Sequence, residues 1–188
     1  MNRDLEAYQL EMNTLLGQYP SQQNITKIAR RIENQEELIA LNISCGRANR
    51  GRIENHASWV MRKIFDENPD LLLSFYEDIL HWILSTESDS VRRNLLPLAS
   101  MNLTAEHLAS SEQLGKIYDA CFKWIRNERY AIAVRANAMV FLVDVCQREP
   151  ALASELIPIF EEINLNAVGG LKSCSAKQLA KLKLLAYS

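Results

Sequence analysis

Apolar positions recur every three to four residues along nearly the whole chain, and no long run alternates apolar with polar; this spacing predicts helices throughout. Leu5, Tyr8, Met12 and Leu15 mark a first stripe, which Gly17 and Pro20 break because proline has no N–H to donate into a continuing helix. Ile25, Ile28, Ala29 and Ile32 mark a second helix, and Leu38, Ile39 and Leu41 a shorter third that stops near Gly46. Ile53, Ala57, Val60 and Ile64 give the next buried edge, ended before Asn68-Pro69, where proline suits the first turn of a following helix. That helix carries Leu72, Phe75, Ile79 and Trp82 or Ile83.

Further on, Ser88-Asp89 predicts an N-cap with an acid in the first turn, ahead of Val91, Leu95 and Leu98; Pro97 inside this stretch predicts a bend. Thr104 caps a short segment, and Ser110 with Gln113 reads as a capping box opening a helix through Leu114, Ile117, Cys121 and Ile125. Val134, Ala138, Phe141 and Val145 lead to a turn at Glu149-Pro150, then to Leu152, Leu156, Ile159 or Phe160, and Ile163. After Gly169-Gly170, Ser175 and Gln178 read as a second capping box before a terminal helix with Leu179, Leu182 and Leu185.

These stripes repeat at a long interval. Val91-Arg92 and Val134-Arg135 each head a helical stretch, and a weaker copy begins at Ile53, so the three starts lie 38 and 43 residues apart. A period near 40 in an all-helical sequence is the mark of stacked helix pairs. The two Val-Arg openings, Ala138, and the Asn68-Pro69 and Glu149-Pro150 turns resemble HEAT-like repeats, over about 53 to 165; armadillo-like repeats are similar. The resemblance implies an all-α, α–α superhelix: a solenoid of about four stacked antiparallel helix pairs. It further implies one helical-repeat domain over 1–188, with clearest repeats 53–87, 88–127 and 131–165 and a C-terminal capping helix over 171–188. It also implies that Arg92 and Arg135 pair with acids of the adjacent unit and set the stacking register. The first copy departs from the pattern, with Ile53-Glu54 where a basic residue is usual, and the middle copy has Leu95 where a small one is.

Composition narrows the functional classes. The 188 residues are 48% hydrophobic and 23% charged, with net charge −2, so no global field draws the chain to nucleic acid or to an anionic membrane. No apolar run approaches the ~20 residues of a membrane span, and the polar start Met-Asn-Arg-Asp-Leu-Glu lacks a signal-peptide core. A cytoplasmic protein is expected. Cys45, Cys121, Cys146 and Cys174 are far apart, as are His56, His81 and His107, so neither metal nor cofactor is expected. Glycine-rich phosphate loops, G-x-S-x-G elbows and Cys/His pairs at familiar spacings are absent from the sequence.

What is left is a binding surface. Arg52, Asn55, His56, Trp59, Arg62 and Lys63 are expected to share the face opposite Ile53, Ala57 and Ile64, with Arg47 and Arg50 in the basic stretch 45–52 beside it. A basic, aromatic helix face is able to grip an acidic peptide or a phosphate backbone; the plainer reading is a solvated outer face with Trp59 tucked between repeats. Residues 51–87 hold three basic and seven acidic side chains, whereas 166–188 hold four lysines and no acid, a local basic patch at the terminal helix. The sequence therefore points to a non-catalytic scaffold that binds a protein or peptide. The alternative is a HEAT-like DNA glycosylase, whose family sets a tryptophan one turn from an aspartate; here Trp59 precedes Lys63, Trp82 precedes Thr86 and Trp124 precedes Glu128.

Overall fold

The computed structural model describes residues 3–17, 20–32, 37–41 and 51–186. Among these every regular element is helical. In chain order they are α1 (Arg3–Gly17), α2 (Gln22–Arg31), a short helical stretch at 37–41, α3 (Arg52–Glu67), α4 (Tyr76–Ser85) and α5 (Asp89–Leu95). Then come α6 (Ala105–Ser110), α7 (Glu112–Arg126), α8 (Ile132–Cys146), α9 (Ala153–Asn166) and α10 (Gly169–Ala186). Pro69–Phe75, Leu96–Ser100 and Pro150–Leu152 are 3-10 turns. The chain divides into two compact units, Met1–Leu98 and Ala99–Ser188.

In the first unit α3 is the hub. α1, α2, α5 and the Pro69–Phe75 turn all pack on it, and Ala57, Val60, Met61 and Ile64 are buried along its length. Met12, Leu16, Ile25 and Ile28 reach the same core, as do Leu72, Phe75, Ile79, Leu80 and Ile83. In the second unit α8 lies against α7 and α10, and α9 pairs with α10. Contact with helices on more than one side explains why α8 is apolar nearly all round: Met139, Leu142, Val143 and Cys146 are buried as well as the stripe Val134, Ala138, Phe141 and Val145. Full burial of a side chain such as Phe141 contributes roughly 1.5–3 kcal/mol.

Three local expectations are corrected. Ser110 is the last residue of α6, its hydroxyl donating to the Glu106 carbonyl at 2.9 Å; the cap of α7 is Ser111, which accepts the Leu114 N–H at 3.3 Å. Ser175 and Gln178 are buried inside α10, which starts six residues before Ser175 at Gly169. Gly169 has φ 57, a left-handed conformation that favours glycine. Pro97 does not bend a continuing α-helix: α5 ends at Leu95 and a 3-10 turn takes over. The caps at Ser88 and Thr104 form as read, accepting from the Val91 and His107 amides.

The helices also reveal the repeat register. The third residues of α3, α5, α8 and α10 are Glu54, Val91, Val134 and Leu171, all buried; the seventh are Ser58, Leu95, Ala138 and Ser175, buried too. The first copy thus aligns at Glu54, not Ile53, which is only half-buried. Fourth residues have a task of their own. Arg92 reaches back to the Thr86 and Glu87 carbonyls after α4, Arg135 donates through Nε to the Ile125 carbonyl of α7 at 3.1 Å, and Lys172 donates to the Asn164 carbonyl of α9. Apart from that of Glu87, which lies just past α4, these carbonyls belong to the last turns or caps of helices, which have no intrahelical donor and carry the negative end of the helix dipole. The expected pairing of Arg135 with an acid of a neighbouring repeat is corrected accordingly: its Nε serves the Ile125 carbonyl instead. Arg92 does hold an acid, Asp89 at 3.3 Å, but that acid is three residues away on its own helix.

Candidate protein-binding site

On α3 the six residues expected to form one face separate. Arg52 is exposed and Trp59 half-buried. Arg62 donates through Nε to Asp66 at 2.8 Å and lies 5.9 Å from the Phe65 ring centre, while Lys63 approaches the same carboxylate at 4.0 Å. Asp66 thus brings Arg62 and Lys63 together and offsets their charge. His56 faces inward, and its shared surface with Trp59 and Arg62 is corrected: it is 7% exposed, with Nδ1 2.6 Å from the Leu16 carbonyl. A carbonyl only accepts, so Nδ1 carries the proton and ties α3 to α1. Asn55 is turned to a neighbour as well, its Oδ1 accepting the Ser88 hydroxyl at 2.7 Å. Arg47 and Arg50 lie outside the described residues.

The same flank of α3 carries a polar network that sequence reading missed. Thr86 donates to Glu54 at 2.8 Å and accepts the Ser88 amide at 3.1 Å; Asn94 donates to Ser58 at 3.0 Å. Glu54, Ser58, Thr86 and Asn94 are all buried, so these bonds hold α3 in register against the α4–α5 turn. They are fastenings rather than a docking face.

A more open surface lies in the second unit. On α7, Tyr118, Phe122 and Arg126 follow one another at four-residue spacing, off the buried stripe of Leu114, Ile117, Cys121 and Ile125. Tyr118 and Phe122 rings are 5.5 Å apart and tilted at 50°, and the Arg126 guanidinium sits 5.6 Å from the Phe122 ring centre. Tyr118, Phe122, Lys123 and Glu155 line an open recess of about 500 Å³ that Arg126 borders. Burial pushes the Tyr118 phenol up to about 12, and its oxygen meets no hydrogen-bond partner among the described residues. Arg126 also borders a second recess of about 300 Å³, walled by Arg135, Glu128 and Glu162 and floored by Ile163 and Leu171. The aromatic and basic spacing on α7 was present in the sequence; what was missing was knowledge of which side stayed open.

The terminal basic patch is partly engaged: Lys183 pairs with Glu161 of α9 at 2.7 Å, and Lys172 caps α9. Trp124 is 5% exposed with Tyr130 packed at 6.0 Å, so it offers no open ring to a base. No group of three or more His, Cys, Asp or Glu among the described residues is placed to hold a metal. None of the described helices is long and apolar enough to cross a membrane.

Helix pairs of near-40-residue period, with a basic residue at one fixed position closing the preceding helix, define an all-α helical-repeat protein. A family model described as a HEAT repeat domain matches residues 12–182, and the chain belongs to that family. HEAT repeats generally serve as protein-interaction scaffolds, and the family is typically non-enzymatic. Comparison with curated proteins and with solved structures gave no match.

Proposed function

We propose that this chain is a non-catalytic scaffold that binds a partner protein through the outer side of α7 and the recesses beside it. The observation that carries the reading is the ridge Tyr118–Phe122–Arg126: two half-buried aromatic rings and an arginine stacked on the second, left uncovered between two recesses. Tyrosine and arginine are enriched among the residues that dominate protein interfaces, because they bury large area at low entropic cost and keep a polar group for the rim. Arg52 and Trp59 on α3 are proposed as a lesser contact; Arg62 and Lys63 are partly neutralised by Asp66.

The test is cross-linking in the native cell with a photoreactive group placed beside Phe122, set against a Phe122→Ser chain. Discrete protein adducts that the serine variant loses support the reading. Micromolar or tighter DNA binding that falls steeply with salt, with no such adducts, would count against it.

A further inference from the structure

We propose that the smaller recess in the second unit receives a single acidic side chain of a partner peptide, with aliphatic residues on either side of it. This rests on the scaffold reading above and names the chemistry of the partner segment. The recess holds about 300 Å³, room for one or two side chains, and is bordered by Arg126 and Arg135.

Neither arginine is spent. Arg126 is exposed and held over the Phe122 ring by stacking, and no carboxylate among the described residues pairs with it. Arg135 gives its Nε to the Ile125 carbonyl, which fixes the guanidinium while its terminal amino groups bond no described residue. A guanidinium oriented in advance loses little entropy when a carboxylate arrives. α8 opens at the same recess without a side-chain cap or an acid in its first turn, so its amide end adds positive potential.

Apolar surface adjoins the charge. Ile132 is 54% exposed and Val168 78%, both lining the recess over a buried floor of Ile163 and Leu171. Leu165, also 78% exposed, stands on the same α9–α10 bend. Exposed aliphatic side chains beside uncommitted cations ask for a ligand with both characters. Glu128 and Glu162 face the recess as well, and they select among anions. Their charge repels a run of phosphates or of acids, yet suits backbone N–H groups or a basic side chain next to one carboxylate. The occupant is therefore a peptide, not a nucleic acid.

The experiment selects random displayed peptides against the full chain, then measures the enriched peptides by fluorescence anisotropy. Peptides with one Asp or Glu flanked by aliphatic residues are expected. Arg126→Glu, at an exposed position, should weaken them at least about tenfold, as should replacing the peptide's acid by its amide. A melting curve of the variant shows that it remains folded. Enrichment of peptides lacking an acid, no enrichment, or affinity indifferent to Arg126→Glu each overturns the proposal. If selected peptides survive Arg126→Glu but are lost with Trp59→Ala or Phe122→Ser, the recess assignment falls while the scaffold reading stands.

Discussion

Thr86 donates its hydroxyl to Glu54 across 2.8 Å in the core of the first unit, at a position where the corresponding helices carry Val91, Val134 and Leu171. The second carboxylate oxygen of Glu54 is buried and meets no donor among the described residues. A buried polar atom without a partner costs about 1–3 kcal/mol, more than the roughly 1 kcal/mol that one hydrogen bond returns. Glu54→Val removes that orphan but strands the Thr86 hydroxyl, which keeps only the Ser88 amide, so stability in urea unfolding should change by less than about 1 kcal/mol. A much larger loss would mean that the carboxylate is held by more than Thr86.

Arg92 closes the end of α4 while holding Asp89. Arg92→Ala removes the carbonyl caps and leaves the part-buried Thr86 oxygen without its donor, so a loss of about 1 kcal/mol is expected. Arg92→Lys should recover only part of it, because one ammonium does not span the same set of acceptors. Chemical denaturation of the three chains side by side decides this; an unchanged midpoint for the alanine variant would remove the capping role.

Burial holds the Asp144 carboxyl above its usual range, against the opposing pull of the Ser100 hydroxyl at 2.8 Å and of Lys181 and Arg148. A raised folded pKa means that the unfolded chain gives up its proton first. The contribution of this group is therefore most favourable at low pH and declines as pH rises through the folded pKa. Asp144→Asn keeps an acceptor for Ser100 and should melt higher than the parent near neutral pH, with the gap closing below about pH 4. A gap that widens on acidification would reverse the assignment.

The thiols of Cys121 and Cys146 are buried, and burial lifts the first well above its ordinary value and the second to about 11. Thiolate is the reactive form, so both should resist iodoacetamide at neutral pH in the native protein and react once it is unfolded. Cys174 is half-exposed but also raised, with burial outweighing Lys177 and Lys181, and should label slowly. Peptide mass mapping after timed alkylation reads all three; rapid native labelling of Cys121 would show that α7 opens readily.

Helix identity was open to inspection in the primary structure because it depends on neighbours. Spacing of apolar residues, the caps at Ser88 and Thr104, and the prolines at 69 and 150 all act within a turn or two of chain. The near-40 period was visible for the same reason, each helix pair having to bury one face against the next. Serines next to a helix start were less decisive: Ser110 and Ser111 both fit a cap, and one residue of phase chose between them.

Partners distant in sequence decided the rest. His56 looked like a surface residue until α1, forty positions earlier, brought the Leu16 carbonyl to its ring. Glu54 lay out of phase with the repeat until Thr86 was seen to hold it in the core. Arg126 was one cation among many in the sequence; only the packing of α7, α8, α9 and α10 set it between two recesses. The amino-acid sequence alone determined the helices, their period and the expectation of a binding scaffold. Which polar side chains are buried, and which surface stays open, was decided by tertiary structure, because burial belongs to pairs of surfaces and is not a property of any single helix.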